Sequence, residues 1–199
     1  MRLNSTRPTD ALVLVAGAND GADNRGIPVV ATITDNGATH ARYARAVGKT
    51  IPSPESVDLE VWYASNIPAG ITSLTVTFTA PSTAQVGSVW AGEYSGLAAS
   101  GTLDQVQAQY TSATTHSTGW TPGTSQTNEL AVAAYADGGY VSSITAPGGW
   151  TIRCSGGYHS YDQLASADKN EPSIGSQSAS FTTSTTTDGL AEIVTFRHA

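Results

Sequence analysis

Cysteine is almost missing from this sequence: Cys154 is the only one in 199 residues. No intrachain disulfide can form, so packing and hydrogen bonds must hold the fold. Cys154 alternates with Trp150 and Ile152 in the run WTIRC. That pattern predicts a buried, inert thiol, and no histidine stands close in sequence to activate it. Lysine is nearly as scarce. Lys49 and Lys169 are the only two, Lys and Arg together number 9 against 16 Asp and Glu, and the formal charge is −7. A phosphate backbone demands clustered cations, so this composition argues against nucleic-acid binding and against docking on an anionic membrane. No apolar run reaches the length of a membrane-crossing helix. The opening MRLNSTRPTD lacks the apolar core and cleavage site of a secretory signal. With Met1 at its head, it leads to the expectation of a protein made and assembled in the cytoplasm, the alternative being a piece cut from a larger secreted chain. The nucleophile elbow GxSxG, the zinc motif HExxH and the phosphate-binding P-loop are all missing.

What is present describes a β-protein. Charged residues make up only 13% of the chain and hydrophobic residues 39%. Abundant Ser, Thr, Ala and Gly suit strands whose exposed faces carry hydroxyls rather than ions. The organising feature is a repetition. Residues 10–21, DALVLVAGANDG, return as residues 128–139, NELAVAAYADGG. Leu12 sits with Leu130, Leu14 with Val132, Ala16 with Ala134 and Gly21 with Gly139. Each run opens on a polar turn residue, continues in small and branched apolar residues and ends in an Asp/Asn/Gly cluster. This is the pattern of a buried strand followed by a tight loop.

The chain therefore reads as an N-terminal arm, residues 1–9, and a single β-sandwich domain, residues 10–199. Within the domain, halves 10–96 and 128–199 are joined by 97–127. Residues 11–18 are apolar on both faces, as in a central strand. Residues 29–34 form the next strand, and Asp35-Asn36-Gly37 signals a hairpin returning through residues 39–47. In residues 56–65, Val57, Leu59, Val61 and Tyr63 face one way, and Asp58, Glu60 and Trp62 face a solvated side. Leu74, Val76 and Phe78 alternate with threonines. The connection 97–127 carries one polar strand near 104–110 and another near 116–120. The second half repeats the order through residues 130–136, 141–145, 150–154, 158–167, 178–183 and 191–198. About ten strands with turns every several residues describe an all-β, antiparallel, jelly-roll-like sandwich built from two related halves.

Candidate chemistry is sparse. Glu60 and Glu93 are the carboxylates most firmly placed on strands, and a carboxylate pair across a sheet face is the apparatus of glycoside hydrolysis. The same alternation describes an ordinary solvated face. The histidines His40, His116, His159 and His198 are scattered without metal spacing. In the loop after the first strand, Asp20, Asp23 and Asn24 are a candidate Ca²⁺ set, weighed against a bare turn. Aromatic side chains are the better binding candidates, because a sugar ring docks on an exposed aromatic face. Trp62, Trp120 and Tyr110 sit in polar surroundings, and Tyr135, Tyr140, Tyr158 and Tyr161 gather toward the second-half loops. Trp90 and Trp150 are expected in the core.

The order of DALVLVAGANDG, EVWYASNIPAGITSLTVTF, EYSGL followed by Leu103-Asp104, NELAVAAYADGG and APGGWTIR resembles jelly-roll or immunoglobulin-like β-sandwich modules of bacteriophage structural proteins and bacterial surface proteins. That resemblance implies a non-enzymatic module that binds or decorates. Its leading form is a virion surface protein: a capsid decoration protein, head fibre or tail component, assembled in the host cytoplasm. Such a protein would be a homo-oligomer, dimer or trimer, partnered by capsid or tail proteins and by a surface glycan, with no nucleic acid and no membrane insertion. The alternative is a carbohydrate-binding module of a secreted or cell-surface bacterial protein.

Overall fold

The computed structural model describes residues 1–19, 27–51, 56–79, 86–139, 141–156 and 163–199. Within them the chain is all-β and every strand pairing is antiparallel. Twelve strands are defined: β1 (Ala11–Asn19), β2 (Val30–Asp35), β3 (Ala44–Ile51), β4 (Val57–Ala64), β5 (Leu74–Phe78), β6 (Val86–Tyr94), β7 (Leu103–Ser117), β8 (Glu129–Asp137), β9 (Ile144–Thr145), β10 (Thr151–Gly156), β11 (Gln163–Glu171) and β12 (Ser180–Phe196). Sheet 1 has the order β3-β4-β1-β6, and sheet 2 the order β10-β11-β8-β12-β7. A separate ribbon joins β2 to β5.

The main core lies between the sheets. Val13, Val15, Leu59 and Val61 of sheet 1 meet Leu130, Val132, Ala134, Leu164 and Phe196 of sheet 2. Gly17 sets how closely they approach, since a Cβ there would come within 2.9 Å of the Leu164 side chain and 3.4 Å of the Ala136 methyl. Each sheet is also covered on its outer face. Leu12 and Leu14 pack outward with Ala64, Ile67, Ile71 and Leu74, against Ile33 and Val76 of the β2–β5 ribbon. On sheet 2, Ala133, Tyr135, Ala165, Ala167 and Ala191 lie beneath Ala179 and Phe181. This layering is why β1 and β8 are buried along their whole length. A strand with two dry faces has no use for alternation.

The two sheets match in detail. Register slips between Arg45 and Val47 against Trp62 and Val61. It slips again between Ile152 and Cys154 against Ala167 and Ser166. Superposing these bulges aligns Val61, which pairs with Val15, with Ser166, which pairs with Ala134. Ala11 then corresponds to Leu130, Val13 to Val132 and Val15 to Ala134. The register expected from the sequence, Leu12 with Leu130, is one residue off. Because strand side chains alternate, that slip would place an outward residue on an inward one.

Other expectations also change. The solvated side of β4 is dry: Glu60 is fully buried and Asp58 nearly so, because the β2–β5 ribbon lies over that face. Asp35-Asn36-Gly37 does not close a hairpin, since β2 pairs with β5 and β3 with β4. Residues 104–117 belong to one long edge strand rather than to parts of two. Residues 1–9, expected as an N-terminal arm, lie against residues 67–74 of the same chain. Leu3, Thr6 and Thr9 donate their N–H groups to the carbonyls of Thr72, Ile71 and Ile67. Buried Thr6 also accepts the Ile71 N–H on its hydroxyl at 2.9 Å.

Candidate functional site

Among the described residues, a well-ordered site lies where the chain enters β1. Its organiser is Asp35, the last residue of β2, whose side chain is wholly buried. Oδ1 accepts the Gly37 N–H at 2.9 Å and contacts His40 Nδ1 at 3.1 Å. Oδ2 accepts the Ala41 N–H at 2.9 Å and the Tyr43 hydroxyl at 3.0 Å. Burial alone would raise the Asp35 pKa. The bonds from Ala41, His40, Gly37 and Tyr43 outweigh it and hold the carboxyl below its ordinary range. The same carboxylate and the burial of Tyr43 push that phenol well upward. Gly37 is required here, because a Cβ would meet the Thr39 carbonyl at 2.9 Å and Asp35 Oδ1 at 3.1 Å. One buried charge thus fixes the path of residues 36–43, and leaves His40, with 70% of its side chain exposed, on the surface.

That surface is one wall of a cleft of about 590 Å³. His40 and Arg42 line it on one side; Thr9, Ser65, Asn66 and Pro68 line it on the other. Thr9 and Asn66 both have left-handed backbones, with φ of 70° and 52°. For a β-branched residue such as Thr9 this conformation is strained, at a cost of about 1–3 kcal/mol. It persists because the turn is clamped: Thr9 donates to the Ile67 carbonyl at 3.0 Å and Ile67 to the Asp10 carbonyl at 2.9 Å. The cleft is lined by an arginine and a histidine and by no carboxylate, on a chain of net charge −7. Its rigid walls, hydroxyls and single guanidinium suit a small anionic group borne on a polar ligand.

The three aromatic candidates sit on three different elements. Trp62, on the outer face of β4, is half-buried against Leu12 and Leu14, and its indole N–H donates to Glu60 Oε2 at 2.6 Å. Tyr110, on edge strand β7, is 40% exposed and donates its hydroxyl to Asp188. Trp120 is the most exposed large apolar side chain described, at 70%. It rides on residues 118–124, which lie along residues 175–179 over sheet 2. That segment is pinned by a threonine at every third position. Thr118, Thr121 and Thr124 each donate a backbone N–H to the carbonyl of Ala179, Gln177 and Gly175 respectively. Each hydroxyl accepts the N–H of the same partner, at 3.0, 2.9 and 3.2 Å. Trp120 is therefore an exposed ring on a stiff support.

Of the remaining candidates, Asp20, Asp23, Asn24, Tyr140, Tyr158, His159 and Tyr161 lie outside the described residues. Tyr135 is buried and bonds Asp137 and Thr187, and His116 is buried beside them. Burial lowers the His116 pKa and raises that of Asp137 to about 6. Cys154 is half-buried, its thiol pushed up by burial and placed 3.3 Å from the Ser166 hydroxyl. Glu60 spends its oxygens on the Val30 N–H and the Trp62 indole, and Glu93 accepts the Arg7 N–H. Their β1 partners, Ala16 and Leu12, are four residues apart. This is about 13 Å along the strand, beyond the ~5–9.5 Å separations of glycosidase carboxylate pairs.

The sequence reading passed over Asp35, His40 and Arg42 as site residues. The available signal was Asp35-x-Gly37 followed by His40, a carboxylate placed to bond the backbone two residues on. Reading it as a hairpin hid it. In comparisons with protein-family models, with curated proteins and with solved structures, no match to the chain was found, so its geometry carries the functional reading.

Proposed function

We propose that this chain is a non-enzymatic adhesion module that takes an acidic saccharide in the cleft at the entry to β1. We propose further that it works on the surface of a bacteriophage particle, as a capsid decoration protein, head fibre or tail component. The observation that carries the binding reading is the pre-formed cleft, with Arg42 and Asp35-oriented His40 on a wall without carboxylates. A module that only binds needs rigidity more than reactive groups, and the clamped turns at Thr9 and Asn66 supply it. The virion placement rests on the sequence resemblance.

A second reading is favoured by Trp120: a carbohydrate-binding module of a secreted or cell-surface protein, holding a neutral sugar on the exposed indole. Calorimetric titration with a sialylated or uronic oligosaccharide beside its neutral counterpart separates the two. Binding of the acidic sugar, weakened about 10- to 100-fold by Arg42→Ala and unchanged by Trp120→Ala, is the expected result. Binding of the neutral sugar that Trp120→Ala abolishes would move the site to residues 118–124. No binding of either sugar would sink the glycan reading altogether.

A further inference from the structure

Superposing the two sheets on their bulges matches more than the strands. It carries Thr9 onto Asn128, and both have left-handed backbones, with φ of 70° and 58°. It carries Ser65, just past β4, onto Asn170 of β11. Counting back from the paired residues Ala44 and Thr151, it carries Arg42 onto Gly149. Ser65 and Arg42 line the cleft at the entry to β1. Asn170 and Gly149 line a second cleft, of about 290 Å³, together with Tyr94, Thr151 and Arg153. The second cleft therefore sits at the corresponding corner of sheet 2.

Its cation comes from a different residue. Where sheet 1 has Arg42, sheet 2 has glycine, and the guanidinium is supplied by Arg153, the extra residue of the β10 bulge between Ile152 and Cys154. A bulge re-aims the side chain it carries. The residue in the matching bulge of β3, Ala46, packs against the core. Among the described residues the Arg153 guanidinium is held by one hydrogen bond, from Nε to Asp168 Oδ2 at 2.7 Å. The same oxygen accepts the Tyr94 hydroxyl, reaching over from sheet 1, at 2.7 Å. Burial, and then Asp168, push the Tyr94 phenol well upward, so it stays a donor. Asp168 keeps 6% of its side chain exposed and Arg153 keeps 46%. The carboxylate lies behind and the guanidinium in front. Fixing Nε on one oxygen sets the guanidinium plane and leaves the two Nη groups as a fork. The planar complement of that fork is a carboxylate, bound through two parallel N–H···O bonds. Exposed Thr151 and Asn170 add a hydroxyl and an amide at the rim. The Lys169 ammonium is engaged elsewhere, 3.0 Å from Glu171 Oε1 and over the Trp150 ring.

We propose that the cleft at the β10 bulge is a second ligand site, in which Arg153, positioned by Asp168 and Tyr94, takes the carboxylate of a small polar ligand. This site stands on its own residues, whatever fills the first cleft.

The test is an NMR titration of the whole chain with galacturonate and with galactose, at constant ionic strength. The signals of the Arg153 Nε–H, the Thr151 N–H and the Asn170 side-chain amide should shift saturably with galacturonate, with a Kd of about 1 mM, and stay still with galactose. Arg153→Lys keeps the charge and loses the fork, and should weaken binding about 10-fold. Thr151→Val leaves the bonds among Arg153, Asp168 and Tyr94 in place and should weaken it about 3-fold. Arg42→Ala should leave these shifts unchanged, so that the second cleft is read apart from the first. Galacturonate that fails to move these signals, or galactose that moves them equally, would overturn the proposal. So would a Kd that stays the same in both Arg153→Lys and Thr151→Val.

Discussion

Sheet 1 and sheet 2 are built on one plan and finished differently. Both place a strand buried on two faces between a bulged pair and a flanking strand, and both are covered on the outer face, sheet 1 by the β2–β5 ribbon and sheet 2 by Ala179 and Phe181. The difference is clearest at one matched position. Val15 pairs with Trp90 in sheet 1, and Ala134 with Glu192 in sheet 2. Trp90, on the last strand of sheet 1 among the described residues, spreads its ring over the rim of the core. Glu192, on a strand flanked by β7, is fully buried, and neither carboxylate oxygen has a hydrogen-bond partner among the described residues. Burial pushes its pKa well above the ordinary value, with further push from Asp58 and Glu60. Flanking cover, more than local sequence, decides whether that position meets water.

Four experiments break or sharpen this comparison, taken from the largest effect to the smallest. Phe181→Ala removes the main cover of sheet 2 from over Tyr135 and should cost about 3–5 kcal/mol in chemical denaturation, because the cavity cannot refill. A loss below about 1 kcal/mol would mean that this outer cover contributes little to the second sheet. Asp35→Asn strikes the loop beside the ribbon on sheet 1 and should cost about 2–4 kcal/mol, since a neutral amide cannot replace a buried acceptor of four hydrogen bonds. The Asp35 pKa is lowered in the fold, so its contribution is present above the ordinary 3.8 and is lost as pH falls through the folded value. The wild type and Asp35→Asn should therefore converge below about pH 4.

Glu192 has the opposite sign. Its folded pKa is raised, so its carboxyl is tolerated below the ordinary 4.5 and destabilises increasingly as pH rises above it. Asp58, raised to about 8 by burial and then by Glu60, adds the same slope up to that pH. Glu192→Gln should raise stability at pH 8 by about 1–3 kcal/mol and flatten the pH profile above 4.5. Denaturation midpoints that move in parallel at every pH would show that ionisation of Glu192 is not the cause. The smallest effect compares the two threonine clasps. Thr6→Val leaves the N–H of buried Ile71 without its acceptor, and Thr124→Val does the same to partly exposed Gly175. The first should cost about 1–3 kcal/mol and the second under about 1 kcal/mol, measured by thermal melting. Equal losses would put the two clasps in equivalent surroundings.

The sequence was legible where physics is local. Composition and strand-length apolar runs bounded by Gly, Asn and Asp were enough for an all-β, antiparallel sandwich. The twofold repetition was visible in residues 10–21 and 128–139. The register of that repetition was not, because Leu12 and Ala11 are both apolar and only the bulges at Arg45/Val47 and Ile152/Cys154 choose between them. The candidate site was harder still. Trp120 could be singled out as an aromatic among polar neighbours, but the same reasoning chose Trp62, whose face turned out to be covered. A covering ribbon is assembled from residues far along the chain, and strand alternation carries no record of it.

The amino-acid sequence by itself determined the class of fold, the two central strands and the poverty of cationic surface, since each follows from composition and short-range patterning. Tertiary structure alone decided which acids are dry and where a cleft opens. Asp35, Glu60 and Glu192 are all acids in strands, yet one organises a loop, one anchors a tryptophan and one has no hydrogen-bond partner among the described residues. A carboxylate's free energy depends on the solvent and donors around it, and in this chain those are supplied by strands dozens of residues away.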